Sequence, residues 1–239
     1  MDVEPAEYCR QIESYLCRKN DGHLVRIVGP TFEQVCGWAT RGVPLKVAWR
    51  GIDRYFERYY RKGPRRRPVR IEFCEADVLD VFDEWRRAVG VASLDVTADA
   101  GSGLQSGPQP HRRQDSLPAH LERVVARLTA LRGGEDRSLD STIDALVREL
   151  DAARGSARGL RGDARDQLLA RLRMLDATLL DAARSRCDAA TLRRLGEEAD
   201  GELAGYRDRM PAEAYAQSRD ACVSRLIRER AKLPVLTFE

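Results

Sequence analysis

The sequence predicts an almost wholly α-helical protein in two parts. Apolar residues recur every three or four positions along most of the chain, which is the period of an amphipathic helix. The composition of 43% hydrophobic and 33% charged residues is typical of a folded chain with a core. One central stretch, GSGLQSGPQPHRRQDS, lacks this periodicity and is rich in Gly, Ser, Pro and Gln, as flexible linkers are. We therefore expect a small helical domain at residues 1–92, a linker at 93–117, and an antiparallel helical bundle or coiled-coil hairpin array at 118–239.

Four helices are expected in the first domain, each with one apolar stripe and with Gly or Pro at a boundary. They are predicted at residues 4–19, 30–41, 44–62 and 75–89. Between them, residues 24–28 form either a strand or an extended piece of core chain, and residues 70–73 are expected to be extended. The second domain carries five further stripes, at residues 121–131, 139–150, 168–179, 192–203 and 222–227.

The third predicted helix carries an unusual row of cations. On a helical wheel, Leu45, Trp49, Ile52, Phe56 and Tyr59 form an apolar face, and basic residues spaced by four lie opposite. Residues 41–70 contain eleven lysines and arginines and only two acids. Such a row can follow a phosphate backbone and release counterions when it binds. The predicted nucleic-acid-binding residues are Lys46, Arg50, Arg54, Arg58, Arg61, Lys62, Arg65, Arg66, Arg67 and Arg70.

A second interpretation of the same residues is structural. Residues 71–90 contain six acids and two arginines, so the basic face can be a solvated surface that pairs with the acidic fourth helix. The sequence leaves this interpretation open. In either case the pattern carries no information about base specificity, because phosphate contacts are independent of sequence.

Gly29-Pro30 precedes a predicted helix, and Trp38 lies shortly before a turn at Gly42. The following helix has the apolar pattern of VPLKVAWRGI, and a last helix ends in Trp85. In these features residues 30–85 resemble the small helical domain of DnaD-type primosomal and replication-initiation accessory proteins. The family's Tyr-Ile pair near its last helix is replaced here by RIEFCEADVLDVF. The resemblance implies a role in DNA binding and assembly.

The sequence contains no familiar catalytic motif. GxSxG, P-loop, HExxH and GxGxxG patterns are all missing. Its six cysteines are never paired as CxxC, and its three histidines are scattered, so no metal and no cofactor are expected. No apolar stretch is long enough to cross a membrane, and the N-terminal residues MDVEPAEY do not resemble a signal peptide. We therefore expect a cytoplasmic protein without enzymatic activity.

These observations predict a nucleic-acid-associated adaptor whose C-terminal helices or tail bind a protein partner or a second copy of the chain. The alternative is a protein-interaction scaffold whose basic face meets an acidic protein. The final residues, KLPVLTFE, are apolar beyond Pro234. Val235, Leu236 and Phe238 are predicted either to cap the core of the array or to form a short motif that binds a partner.

Overall fold

The structure is a computed structural model that describes residues 4–61, 63, 68–91, 116–132 and 137–238. Within these ranges the chain forms nine α-helices and three short 3₁₀ helices, with no strand, so the predicted all-α class is confirmed. The α-helices are α1 (Pro5–Lys19), α2 (Pro30–Thr40), α3 (Leu45–Tyr60), α4 (Glu75–Ala88), α5 (Leu117–Leu131), α6 (Asp140–Ser156), α7 (Asp163–Arg184), α8 (Ala189–Glu202) and α9 (Ala212–Arg230). The 3₁₀ helices are Ile71–Cys74, Arg137–Leu139 and Ala204–Arg209.

Two segments between the first helices were predicted to be a strand or extended chain. Residues 24–28 form no regular secondary structure, and of their side chains only Ile27 is buried. The Ile27 amide donates a 2.7 Å hydrogen bond to the Glu13 carboxylate, which fixes this segment against α1. Residues 70–73 were expected to be extended, but Ile71–Cys74 is a 3₁₀ turn. Ile71 and Cys74 are both buried, so their burial holds the turn in place.

By its contacts, the chain divides into two compact units. The first unit is Met1–Ala100 with Gly196–Cys222, and the second is Gly101–Leu195 with Val223–Glu239. Residues 196–222 were expected in the C-terminal array, whereas their contacts group them with α1 to α4. Most of the predicted linker lies outside the described residues. Its last two residues are described, and the Ser116 hydroxyl caps the start of α5.

In the first unit, α3 packs most closely against α4. The two helices meet at Gly51, where a Cβ atom would lie only 2.4 Å from the Cα of Val78. The turn between α2 and α3 is fixed by Gly42, at φ +76°, next to the Tyr206 ring. Residues 196–222 contribute Tyr206, which is fully buried and lies 5.7 Å from the Trp85 ring. The Trp85 indole also donates a 2.8 Å hydrogen bond to Glu202.

In the second unit, α5 packs against α6 and α6 against α7. The buried residues of these helices follow the predicted stripes: Leu121, Val124 and Leu128 in α5, Ile143, Leu146 and Leu150 in α6, and Leu172, Leu175 and Leu179 in α7. This spacing of three and four residues is that of a helix with one face in a core.

Candidate nucleic-acid interface

The basic helix α3 begins just after Pro44, whose extended backbone precedes the first turn and whose carbonyl accepts the Ala48 amide at 3.0 Å. Its buried side chains are Val47, Ala48, Ile52 and Phe56, with Gly51 between them. Of the predicted apolar face, Ile52 and Phe56 are buried, whereas Leu45, Trp49 and Tyr59 are only half-buried. The buried face is therefore rotated toward Val47, Ala48 and Gly51. Glycine has no side chain to add to an apolar pattern, so the close contact at Gly51 could not be read from periodicity. Trp49 is half-buried and stacks on Tyr15, with ring centroids 5.0 Å apart.

Because the buried face is rotated, two of the predicted phosphate ligands lie beside α4. Arg54 donates two hydrogen bonds to the Glu84 carboxylate, one of 3.1 Å and one of 2.5 Å. This pairing raises the pKa of the Arg54 guanidinium. Arg58 donates a 2.6 Å bond to Asp77. Arg54 and Arg58 therefore pair with acids of the fourth helix, as the second interpretation of the basic face predicted.

Asp77 is a buried carboxylate at the contact between α3 and α4. Burial raises the pKa of Asp77, and the nearby guanidinium groups of Arg58 and Arg54 offset part of this effect. The Arg58 guanidinium also lies over the Tyr55 ring, 5.5 Å from its centroid. Arg58 is thus held in place from two sides, although most of its side chain remains exposed.

The other predicted residues divide into four groups. Lys46 pairs with Glu198 at 2.6 Å, and Arg70 pairs with Glu72 at 2.7 Å. Arg50 is half-buried. Arg61 is exposed just beyond the end of α3, and no carboxylate in the described part of the chain pairs with it. Lys62, Arg65, Arg66 and Arg67 lie outside the described residues.

The site has an aromatic component that the prediction did not use. Tyr55, Tyr59 and Tyr60 occupy the last turns of α3, and Phe73 lies against Tyr55 with ring centroids 6.4 Å apart. The crowding of tyrosines at the end of α3 is visible in the sequence. The contact with Phe73 is not, because it depends on how the 3₁₀ turn packs on α3.

The C-terminal tail, predicted as a core cap or a partner motif, lies on the second unit. Leu236 is fully buried, and its amide donates a 2.9 Å hydrogen bond to Asp176. Asp176 also accepts a hydrogen bond from Arg228. His120 lies 3.2 Å from the Leu236 carbonyl and 5.3 Å from the Phe238 ring centroid. Of the three predicted residues, Val235 alone is largely exposed, at 51%. Leu236 is therefore part of the core of the second unit, as the core-cap interpretation predicted.

The six cysteines are all free thiols. Across the described residues, no three His, Cys, Asp or Glu side chains are grouped so as to hold a metal ion. None of the helices in the described ranges combines the length and the hydropathy that a membrane span requires. The fold and site together define an all-α protein with a cationic and aromatic surface at the end of one helix. Comparisons with protein-family models, with curated proteins and with solved structures give no match.

Proposed function

We propose that this chain is a nucleic-acid-associated adaptor that binds the phosphate backbone at the C-terminal end of α3. The observation that carries the proposal is the concentration of cations in one short segment. From Arg58 to Arg70 the sequence has seven lysines and arginines and no acid. Such a density of positive charge favours a polyanion, because each phosphate contact releases condensed counterions.

The internal ion pairs reduce the number of cations that are available to bind phosphate. Lys46, Arg54 and Arg58 each have a carboxylate partner within the first unit, so a phosphate must compete with that partner. Arg61 has no such competitor among the described residues. The proposed contact is therefore centred on Arg61 and the segment that follows it, which includes Arg65, Arg66 and Arg67 in the sequence. The resemblance of residues 30–85 to DnaD-type proteins, which is based on the sequence alone, is consistent with the proposal.

A second candidate is a protein-interaction scaffold that meets an acidic partner, since carboxylates are the groups that pair with Lys46, Arg54 and Arg58 inside the first unit. A titration separates the two candidates. A fluorescein-labelled oligonucleotide of random sequence, single-stranded or duplex, is titrated with the protein at low salt, and polyglutamate is then added as competitor. If the chain is a nucleic-acid adaptor, binding should weaken steeply with salt. It should also persist when polyglutamate is added with as many carboxylates as the oligonucleotide has phosphates. Absence of binding at low salt, or full displacement by polyglutamate, contradicts the adaptor proposal.

If phosphate binds at Arg61 and not along the whole of α3, two single substitutions should differ in their effect on binding. Arg61→Gln is expected to weaken oligonucleotide binding several-fold at low salt, because it removes one phosphate contact. Lys46→Gln is the matched control: it also removes one exposed cation, at the first turn of α3, but one that is already paired with Glu198. Fluorescence anisotropy measures both affinities. Equal losses in the two variants would show that the contact extends along the whole helix.

A further inference from the structure

The end of α3 carries a continuous group of aromatic rings, here called the aromatic cluster: Tyr55, Tyr59, Tyr60 and Phe73. Phe73 and Tyr60 are exposed, whereas Tyr55 and Tyr59 are half-buried. Tyr55 and Tyr59 stack with centroids 5.7 Å apart, and Tyr59 meets Tyr60 edge-on at 5.5 Å. The Phe73 ring also stacks on Tyr55, with the two ring planes 14° apart. Four rings in one continuous chain of contacts form a larger apolar surface than scattered single residues do.

These rings do not serve as the core of the first unit. The aromatic side chain of α3 that fills the core is Phe56, which is buried. By contrast, Phe73 is 56% exposed and Tyr60 is 43% exposed. The neighbours of Phe73 in its 3₁₀ turn, Ile71 and Cys74, are buried and anchor the turn. Phe73 is therefore held at the surface by a turn that is itself well packed.

One cation lies over a ring of the aromatic cluster, and two more are close to it in the chain. The Arg58 guanidinium lies over the Tyr55 ring and is held there by Asp77. Arg61 follows Tyr60 directly and is exposed. Arg70, three residues before Phe73, has a side chain that is 65% exposed and bonded to Glu72. The cluster thus combines ring faces with guanidinium groups, which is the composition of a surface that binds bases by stacking and phosphates by charge.

We infer that the aromatic cluster is a stacking platform for the bases of single-stranded nucleic acid. The inference rests on the proposed function and specifies its ligand. Unpaired bases offer a free π-face, whereas the bases of a duplex are already stacked on one another. Ring faces exposed beside cations therefore favour a single strand over the duplex of the same sequence, and without base specificity, because every base has a π-face.

The test compares one ring with one exposed aliphatic side chain. Phe73→Leu keeps an apolar side chain but removes the ring face. It is expected to weaken binding of a mixed-sequence 20-nucleotide single strand about 5- to 50-fold, and to leave duplex binding unchanged. Leu24→Ala is the matched control, since Leu24 is an apolar residue of the same unit that is 74% exposed, and it should change neither affinity. A 2-aminopurine base in the single strand reports stacking directly, through a fluorescence change that Phe73→Leu should abolish.

The outcomes separate this inference from the proposed function. If wild-type protein binds both oligonucleotides and Phe73→Leu binds them equally well, the stacking inference is overturned and the phosphate contact stands. If wild-type protein binds neither, both are overturned. If Phe73→Leu instead converts a dimer to a monomer by light scattering and leaves single-strand affinity intact, the cluster is an interface with a second copy, and the inference is overturned.

Discussion

Gly51→Ala is expected to destabilise the first unit by about 3 kcal/mol, or to prevent its folding. The added Cβ atom would lie 2.4 Å from the Val78 Cα and 2.7 Å from the Val78 amide nitrogen. Both are backbone atoms, so no side-chain rotation can relieve the contact, and α3 and α4 must move apart. The gain of about 1 kcal/mol that alanine brings over glycine in a helix is smaller than this cost. Denaturant unfolding followed by circular dichroism measures the change.

Gly37→Ala is the matched control for that prediction. Gly37 also lies inside a helix, α2, but a Cβ atom there would meet no atom within 4 Å. The substitution is expected to leave stability unchanged or to raise it by up to about 1 kcal/mol. Equal unfolding midpoints for Gly51→Ala and Gly37→Ala would show that α3 and α4 do not cross at Gly51.

Leu236→Ala is expected to destabilise the second unit by about 3 kcal/mol. Leu236 is fully buried, and truncation of a buried leucine removes its transfer free energy and leaves a cavity. The Leu236 backbone is fixed at the same time by the Asp176 carboxylate, so the chain is not free to close the cavity. The change is read from the thermal or denaturant unfolding of the full chain.

The adjacent residue supplies the control for the tail. Val235→Ala shortens an apolar side chain that is 51% exposed, and it is expected to change stability by no more than about 0.5 kcal/mol. If Leu236→Ala proves as harmless as Val235→Ala, the tail is not part of the core, and its role as a partner-binding motif becomes the better explanation.

The sequence predicted the helices well because helical periodicity is a local property. A stripe such as Leu121, Val124 and Leu128 indicates which face of a helix is buried, even when the element that covers that face is not known. The grouping of residues 196–222 with the first unit was beyond such reasoning. It depends on contacts such as the Trp85–Glu202 hydrogen bond, whose partners are 117 positions apart in the chain. Neither residue's local pattern indicates the other.

The candidate site was predicted in part. The cations of α3 and the acids of α4 were both evident, and their pairing was one of two open interpretations. The orientation of α3 decided between them for Arg54 and Arg58, and it depends on Gly51. These arginines follow Gly51 by three and seven positions, so they lie on its side of the helix, facing α4. Glycine has no side chain and adds nothing to an apolar pattern. The orientation of α3, which depends on the contact at Gly51, could therefore not be predicted from the sequence.

The most direct test of the central claim is the salt dependence of single-strand binding in wild-type protein and in a variant with Arg61, Arg65, Arg66 and Arg67 all changed to Gln. For single strands, the slope of log K against log salt counts phosphate contacts at about 0.7 per contact. If the chain binds phosphates at the end of α3, the slope should become shallower by up to about 3 in the variant. An unchanged slope, with both proteins folded, would contradict the account.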